Sequence, residues 1–124
     1  MSDCLFCRMV TGEVPATVVA ETDRVLAFRD INPQAPTHVL VIPKDHHRNV
    51  AALATADPQL LGEVLTTAHA VAGDEGLVQG DGDRPGYRLV TNTGPDAGQS
   101  VDHVHLHLLG GRPMGWPPFP RDQR

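Results

Sequence analysis

The chain has 124 residues, a formal charge of -5 and two cysteines, which bounds it to one domain with a modest core. That charge argues against an electrostatic grip on duplex DNA or an acidic membrane, yet leaves room for a small phosphate ligand. The N-terminus has no basic lead into an apolar run, and no stretch approaches the roughly 18 to 20 apolar residues of a membrane span, so a soluble cytoplasmic protein is expected.

Taken in chain order, the first feature is Cys4-Leu5-Phe6-Cys7, a C-x-x-C within residues 1–12. In a reducing compartment this spacing points to a metal or a redox pair rather than a structural disulfide. Val25 to Phe28 reads as a brief strand ended by Asp30-Ile31-Asn32-Pro33. His38 to Ile42 is apolar after its histidine and closed by Pro43, the pattern of a central strand. Asp57-Pro58 reads as an N-cap and first-turn proline. Leu60, Leu61, Val64, Leu65, Ala68 and Val71 then recur at helical spacing until Gly76, predicting one long helix over 58–75. Gly80 to Pro85 reads as a polar turn; its aspartates match no calcium-loop spacing. Tyr87 to Thr91 and Val101 to Leu109 complete the strands, and residues 111–124 form an extended tail. Strands broken by one long helix predict an α+β domain with a mostly antiparallel sheet.

Within the last predicted strand, His103, His105 and His107 alternate with Val104, Leu106 and Leu108. Strand geometry puts the three imidazoles on one face and the aliphatic side chains on the other, where the 58–75 helix would cover them. A solvated strand that merely happens to be histidine-rich is a poor explanation, since three of the seven histidines fall at every second position. A single ion shared by all three fits poorly too. The outer Cα atoms would stand roughly 13 Å apart, whereas zinc ligands converge to about 2.0–2.1 Å from the metal. A row of imidazoles, one nucleophilic and its neighbours orienting or moving protons, suits the spacing better. Just upstream, Asn92 to Ser100 contains Gly94, Gly98, Gln99 and Ser100. A glycine-rich loop of this kind can turn backbone N–H groups toward an anion, with Gln99 and Ser100 as neutral donors.

G-Q-S-V-x-H-V-H-L-H-L-L-G-G-R-P together with A-P-T-H-V-L-V-I-P-K resembles the histidine-triad superfamily. Within it, G-G-R-P followed by W-P-P is similar to the nucleoside-phosphoramidase (HINT) branch, and the likeness runs from about Asp3 to Pro118. The resemblance implies the HIT fold: about five strands, one long helix and a short N-terminal helix. It also implies a homodimer across which the sheet continues, with Trp116 reaching toward the neighbouring protomer's active site. His105 matches the nucleophile that forms a covalent nucleotidyl-histidine intermediate, His107 a phosphate contact that assists proton transfer, and His103 the residue whose backbone orients the nucleophile. His38 matches the fourth histidine of the phosphate site. Asp30 matches the carboxylate that binds the ribose hydroxyls, with Phe6, Phe28, Ile31 and Leu40 around the base. Asn92, Gly98, Gln99 and Ser100 match phosphate and leaving-group contacts. Read without the resemblance, His38 would cap a strand, Asp30 would sit in a turn, and the apolar four would be ordinary core.

Some bacterial relatives in this family bind zinc through a C-x-x-C, the histidine of P-K-x-H and the first triad histidine. The matching residues are Cys4, Cys7, His46 and His103, with His47 as an alternate ligand, although many HINT members lack the cysteines. The expected activity is hydrolysis of purine nucleoside phosphoramidates and related adducts of AMP or GMP type. A dinucleoside polyphosphate hydrolase or a nucleotide-binding regulatory module is the alternative; intact His107 argues against nucleotidyl transfer.

Overall fold

A computed structural model describes residues 3–78 and 85–119. Its elements run α1 (Leu5–Val10), β1 (Val18–Glu21), β2 (Val25–Arg29), β3 (Thr37–Pro43), α2 (Val50–Ala56), α3 (Pro58–Asp74), β4 (Tyr87–Val90), a short 3-10 turn (Pro95–Ala97) and β5 (Leu106–Gly110). The sheet has the order β1-β2-β3-β5-β4, and every neighbouring pair is antiparallel. This is the α+β arrangement the sequence predicts. Residues Gly80 to Arg84 of the predicted turn, and the last five of the tail, lie outside the described residues.

β3 is the centre. All seven of its residues are buried, because helices cover both of its faces and strands flank both edges. On one face α3 packs Leu60, Val64, Ala68, Val71 and Ala72 against Val25, Ala27, Val39, Val41, Val104, Leu106 and Leu108. The helix starts as its sequence requires. Asp57 accepts the amide of Leu60 at 3.1 Å and Pro58 fills the first turn, where no N–H is needed. It ends one residue earlier than predicted, at Asp74, followed by Gly76 at φ +74°. Leu65 belongs to the apolar repeat yet is 43% exposed, so the buried stripe is narrower than the sequence pattern.

Two elements went unrecognised in sequence. α2 is an alanine-rich turn capped by Asn49, whose Oδ1 accepts the Ala52 amide at 2.9 Å. β1 is a four-residue edge strand with an irregular register against β2, too short to show alternation. The predicted 101–109 strand is also shorter, since β5 begins only at Leu106. The ladder ends there because its next partners are used otherwise. The Pro43 carbonyl is taken by the His103 imidazole, and the Val104 amide donates to the His47 carbonyl at 2.8 Å. Side-chain alternation nevertheless survives, with Val104, Leu106 and Leu108 in the α3 core.

The glycine pair after β5 has a steric reason. A Cβ on Gly110 would stand 2.6 Å from Leu77 Cδ1; Gly111 sits at φ +95° with Pro36 Cβ 2.8 Å from where its own would be. Beyond it the tail crosses β4: Arg88 donates to the Gly115 carbonyl at 2.9 Å and its guanidinium lies 5.9 Å from the centre of the Trp116 ring. Trp116 remains 78% exposed in the single chain.

Candidate active site and metal cluster

The face of the sheet opposite α3 carries a second, smaller core of Phe6, Leu26, Phe28, Leu40 and Ile42, and α1 lies over it. His107 on β5 stands opposite Leu40 on β3, and His38 on β3 opposite Leu109 on β5. The ladder thus places His38 and His107 on that same face, while His103 and His105 reach it from the irregular segment before β5. The burial differs from a solvated strand face: His103, His105 and His38 are all buried.

Each imidazole has one nitrogen committed to a defined partner, which settles its tautomer. A carbonyl only accepts, so the contact of His103 Nε2 with the Pro43 carbonyl at 2.8 Å puts a proton on Nε2 and leaves Nδ1 bare. The contact of His105 Nδ1 with the His103 carbonyl at 2.8 Å likewise puts the proton on Nδ1 and leaves Nε2 with its lone pair. His38 Nδ1 accepts the Gln34 amide at 3.0 Å, so its proton is on Nε2. That proton is donated to His107 Nδ1 at 2.8 Å, with Asp30 Oδ2 close by at 3.4 Å. His107 therefore holds its own proton on Nε2.

Burial keeps three of these rings neutral. His107 is pushed down to about 4, chiefly by desolvation and then by His105 and His38, against the pull of Asp30. His103 is also lowered to about 4, by desolvation above all. His38 is lowered by burial, partly offset by Asp30. The row places the His105 nitrogen that the His103 carbonyl leaves unused beside the His107 N–H, with ring centres 5.1 Å apart. That pairing offers a nucleophile next to a hydrogen-bond donor.

Both rings line a cavity of about 360 Å³ together with Phe6, Phe28, Asp30, Ile31, Leu40 and Ser100, a volume suited to a small organic ligand. The apolar residues divide into two kinds. Phe6, Phe28 and Leu40 are 4%, 2% and 7% exposed and belong to the small core as well as to the cavity wall. Ile31 is 99% exposed at the rim. Phe6 meets His105 edge-on, with ring centres 5.0 Å apart. Leu5, Met9 and Val101 also line the cavity and were missed in sequence; for Met9 the signal was its i+3 spacing from Phe6 on α1.

The loop at 92–100 differs from the expected anion cradle. The amides of Ala97 and Gln99 donate to the Gly94 carbonyl, and that of Gly98 to the Pro95 carbonyl. Those N–H groups close the turn on itself, so they do not point at a ligand. Gln99 is committed as well: its Oε1 accepts the Gly94 amide, and its Nε2 donates to the Arg48 and Val101 carbonyls at 2.7 and 3.1 Å. It braces the segment leading to the histidines. Ser100 alone of the predicted loop donors lines the His105 cavity; Asn92 lines a separate one with Arg88 and Phe119.

Beside the row, Cys4, Cys7, His46 and His103 bring one donor atom each within 4.8 Å of one another. His103 Nδ1 is 3.4 Å from Cys4 Sγ and 3.5 Å from Cys7 Sγ, and His46 Nδ1 is 3.3 Å from Cys7 Sγ. Two sulfurs and two nitrogens so spaced form a donor set suited to tetrahedral zinc. His103 is pre-oriented for it, because the Pro43 carbonyl holds its far nitrogen, the usual outer support of a metal-binding histidine. His46 is the histidine in this cluster, whereas His47 contributes its carbonyl to the backbone of Val104.

Comparison with known proteins agrees with this geometry. The family model described as HIT domain matches residues 11–114. A 14 kDa zinc-binding protein of Zea mays is 50% identical over 119 residues, covering 94% of this chain and 88% of that protein. Adenylylsulfatase HINT1 of Arabidopsis thaliana is 47% identical over 120 residues, covering 94% and 77% respectively. Among solved structures, a HIT family hydrolase from Legionella pneumophila Philadelphia 1 is similar with a TM-score of 0.87 at 51% identity, covering 94% of this chain and all of that one.

Proposed function

The chain belongs to the HIT family, and from that premise we propose that it hydrolyses purine nucleoside phosphoramidates and related nucleotide adducts through a covalent intermediate on His105. The observation that carries this reading is the pair of fixed tautomers: a bare Nε2 on His105 and an N–H on His107, side by side in one cavity. In the first step the His105 Nε2 lone pair forms a bond to phosphorus. The P–N bond to the leaving amine breaks, and the amine takes a proton from solvent, which the attacking water gives back in the second step. The imidazolium that results keeps its Nδ1–H on the His103 carbonyl, which spreads the new charge. His107 Nε2–H donates to a phosphoryl oxygen where negative charge builds. Water then attacks phosphorus, the P–Nε2 bond breaks, and nucleoside monophosphate leaves.

Asp30 supports this reading as the ribose contact. Its carboxylate takes the Asn32 amide at 2.8 Å and still has acceptor capacity toward the cavity it lines. The apolar rim would hold the base. Cys4, Cys7, His46 and His103 would hold a zinc ion whose contribution is cross-linking rather than chemistry on the substrate. The edge position of β4 and the exposed Leu65 and Trp116 support a homodimer in which Trp116 approaches the neighbouring site.

The test is turnover of adenosine 5′-phosphoramidate, beside adenylyl sulfate and a dinucleoside polyphosphate, by wild type and His105→Asn. Wild type should prefer the phosphoramidate. The variant should lose turnover while still binding AMP. Near-normal kcat in His105→Asn would overturn the mechanism, and preference for the dinucleoside polyphosphate would overturn the substrate class.

A further inference from the structure

His103 belongs to two sites at once. Its side chain completes the Cys4–Cys7–His46 cluster, and its carbonyl holds the Nδ1–H of His105 at 2.8 Å. The segment that contains both residues is outside the β5 ladder, so regular strand pairing does not set its position. Individual contacts set it instead. Gln99 donates to the Val101 carbonyl, the Val104 amide donates to the His47 carbonyl, the Thr91 hydroxyl donates to the His105 carbonyl, and the His103 ring spans from the Pro43 carbonyl to the two cysteines.

The cluster also fastens α1. A six-residue helix has little stability of its own, and this one carries Cys7 on the cluster and Phe6 against His105 and His103, at ring-centre distances of 5.0 and 5.9 Å. A tie through Cys4 and Cys7 therefore acts on the nucleophile by two routes: through the His103 carbonyl and through the Phe6 ring.

We propose that Cys4, Cys7 and His46 are positioning residues for His105: zinc held by them and His103 locks the 101–105 segment and α1, and so keeps the His105 ring in its attacking orientation. This rests on His105 being the nucleophile, and it goes further in making that orientation depend on an ion outside the substrate cavity. His46 is the residue to test. It is exposed, and it does not line the His105 cavity.

The experiment compares wild type, zinc-stripped wild type, His46→Ala and the conservative His46→Cys, which offers a thiolate in place of the imidazole. Four quantities are read at one fixed pH: bound zinc, AMP affinity, kcat on adenosine 5′-phosphoramidate, and the hydrogen-bonded Nδ1–H proton of His105 by nitrogen-correlated NMR. Stripped wild type and His46→Ala should show a broadened or lost His105 Nδ1–H signal and kcat lowered on the order of tenfold to a hundredfold, the scale of a small misplacement of a reacting group. Their AMP Kd should rise by less than kcat falls, because Phe28, Asp30, Ile31 and Leu40 stay in place in the cavity and only the α1 side of it loosens. Zinc should restore the stripped wild type but not His46→Ala, and His46→Cys should regain zinc, the signal and most of the turnover. A protein that takes up no zinc, or whose His105 signal and kcat ignore zinc and His46→Ala, would overturn the proposal. The NMR readout needs no substrate, so a wild type that turns over no nucleotide refutes the assigned function while the positioning claim is still decided.

Discussion

The two faces of the sheet are built on opposite principles. Under α3 the core is a continuous aliphatic layer in which Leu60, Val64, Ala68 and Leu108 are fully buried, and any group of the right size and shape serves. Under α1 the core is five residues, two of them aromatic, bordered by four imidazoles. Burial there would be costly if any ring nitrogen lacked a partner. The structure meets part of that cost with the Pro43 and His103 carbonyls, the Gln34 amide and the His38–His107 contact, which together commit at least one nitrogen of each ring. The aliphatic face supplies stability; the histidine face uses some of that stability to hold neutral imidazoles in single tautomers.

The largest expected effect separates the faces by activity. His107→Asn should lower kcat by roughly 10² to 10⁴, the range for loss of a positioned donor or proton carrier. Stability should change little, because the Asn amide oxygen can accept the His38 Nε2–H that His107 Nδ1 now receives. Steady-state kinetics with a urea melt of the same preparation checks both halves. A variant that is unfolded, or that keeps full kcat, breaks the comparison.

The converse change lies in α3. Leu60 is fully buried, and Leu60→Ala should cost about 2–5 kcal/mol of stability by denaturant unfolding. The folded fraction should keep its kcat/KM. A loss of catalytic efficiency in the folded fraction would mean that the two faces are not separable.

This division explains what was legible beforehand. The α3 face is written in side chains: Asp57-Pro58 marks the helix start, the apolar repeat marks its buried stripe, and Val104, Leu106 and Leu108 mark the matching strand face. The cysteine pair, His46 and His103 were legible as a cluster of donors able to hold a metal because they are side chains too. The histidine face was legible only in part. The alternation of His103, His105 and His107 put them together correctly, but it implied a strand from Val101, whereas the ladder begins at Leu106. What displaced the strand is a side chain occupying a backbone carbonyl, and no residue pattern announces that. Gln99 was misread for the same reason: a neutral amide beside a glycine turn resembles an anion donor, yet nearby carbonyls and an amide consume it. Tautomers were out of reach altogether, since the Pro43 and His103 carbonyls and the Gln34 amide that set them carry no side-chain signature.

A smaller effect sharpens the contrast through pH. His107 is held near 4 and His38 below its ordinary value, while in the unfolded chain both titrate near 6.5. Between these limits the unfolded state binds protons that the folded state refuses, so stability should fall as pH drops from about 6.5 toward 4. The depressed carboxyls Asp57 and Glu75 lose their contributions only at lower pH, through and below the usual carboxylate range. Urea midpoints for wild type and His107→Asn should therefore diverge across the 4–6.5 window, wild type showing the steeper loss. Parallel curves would mean that His107 is not buried in its neutral form.

The central claim is that the nucleophile is the His105 Nε2 that the His103 carbonyl leaves bare. The direct measurement is rapid mixing of the protein with adenosine 5′-phosphoramidate, an alkaline quench to preserve P–N bonds, and mass analysis of the peptides. One adenylyl group should appear on His105 during turnover, decay as AMP is released, and be absent from His105→Asn. Turnover with no adduct, or an adduct on His103 or His107 instead, would contradict the account.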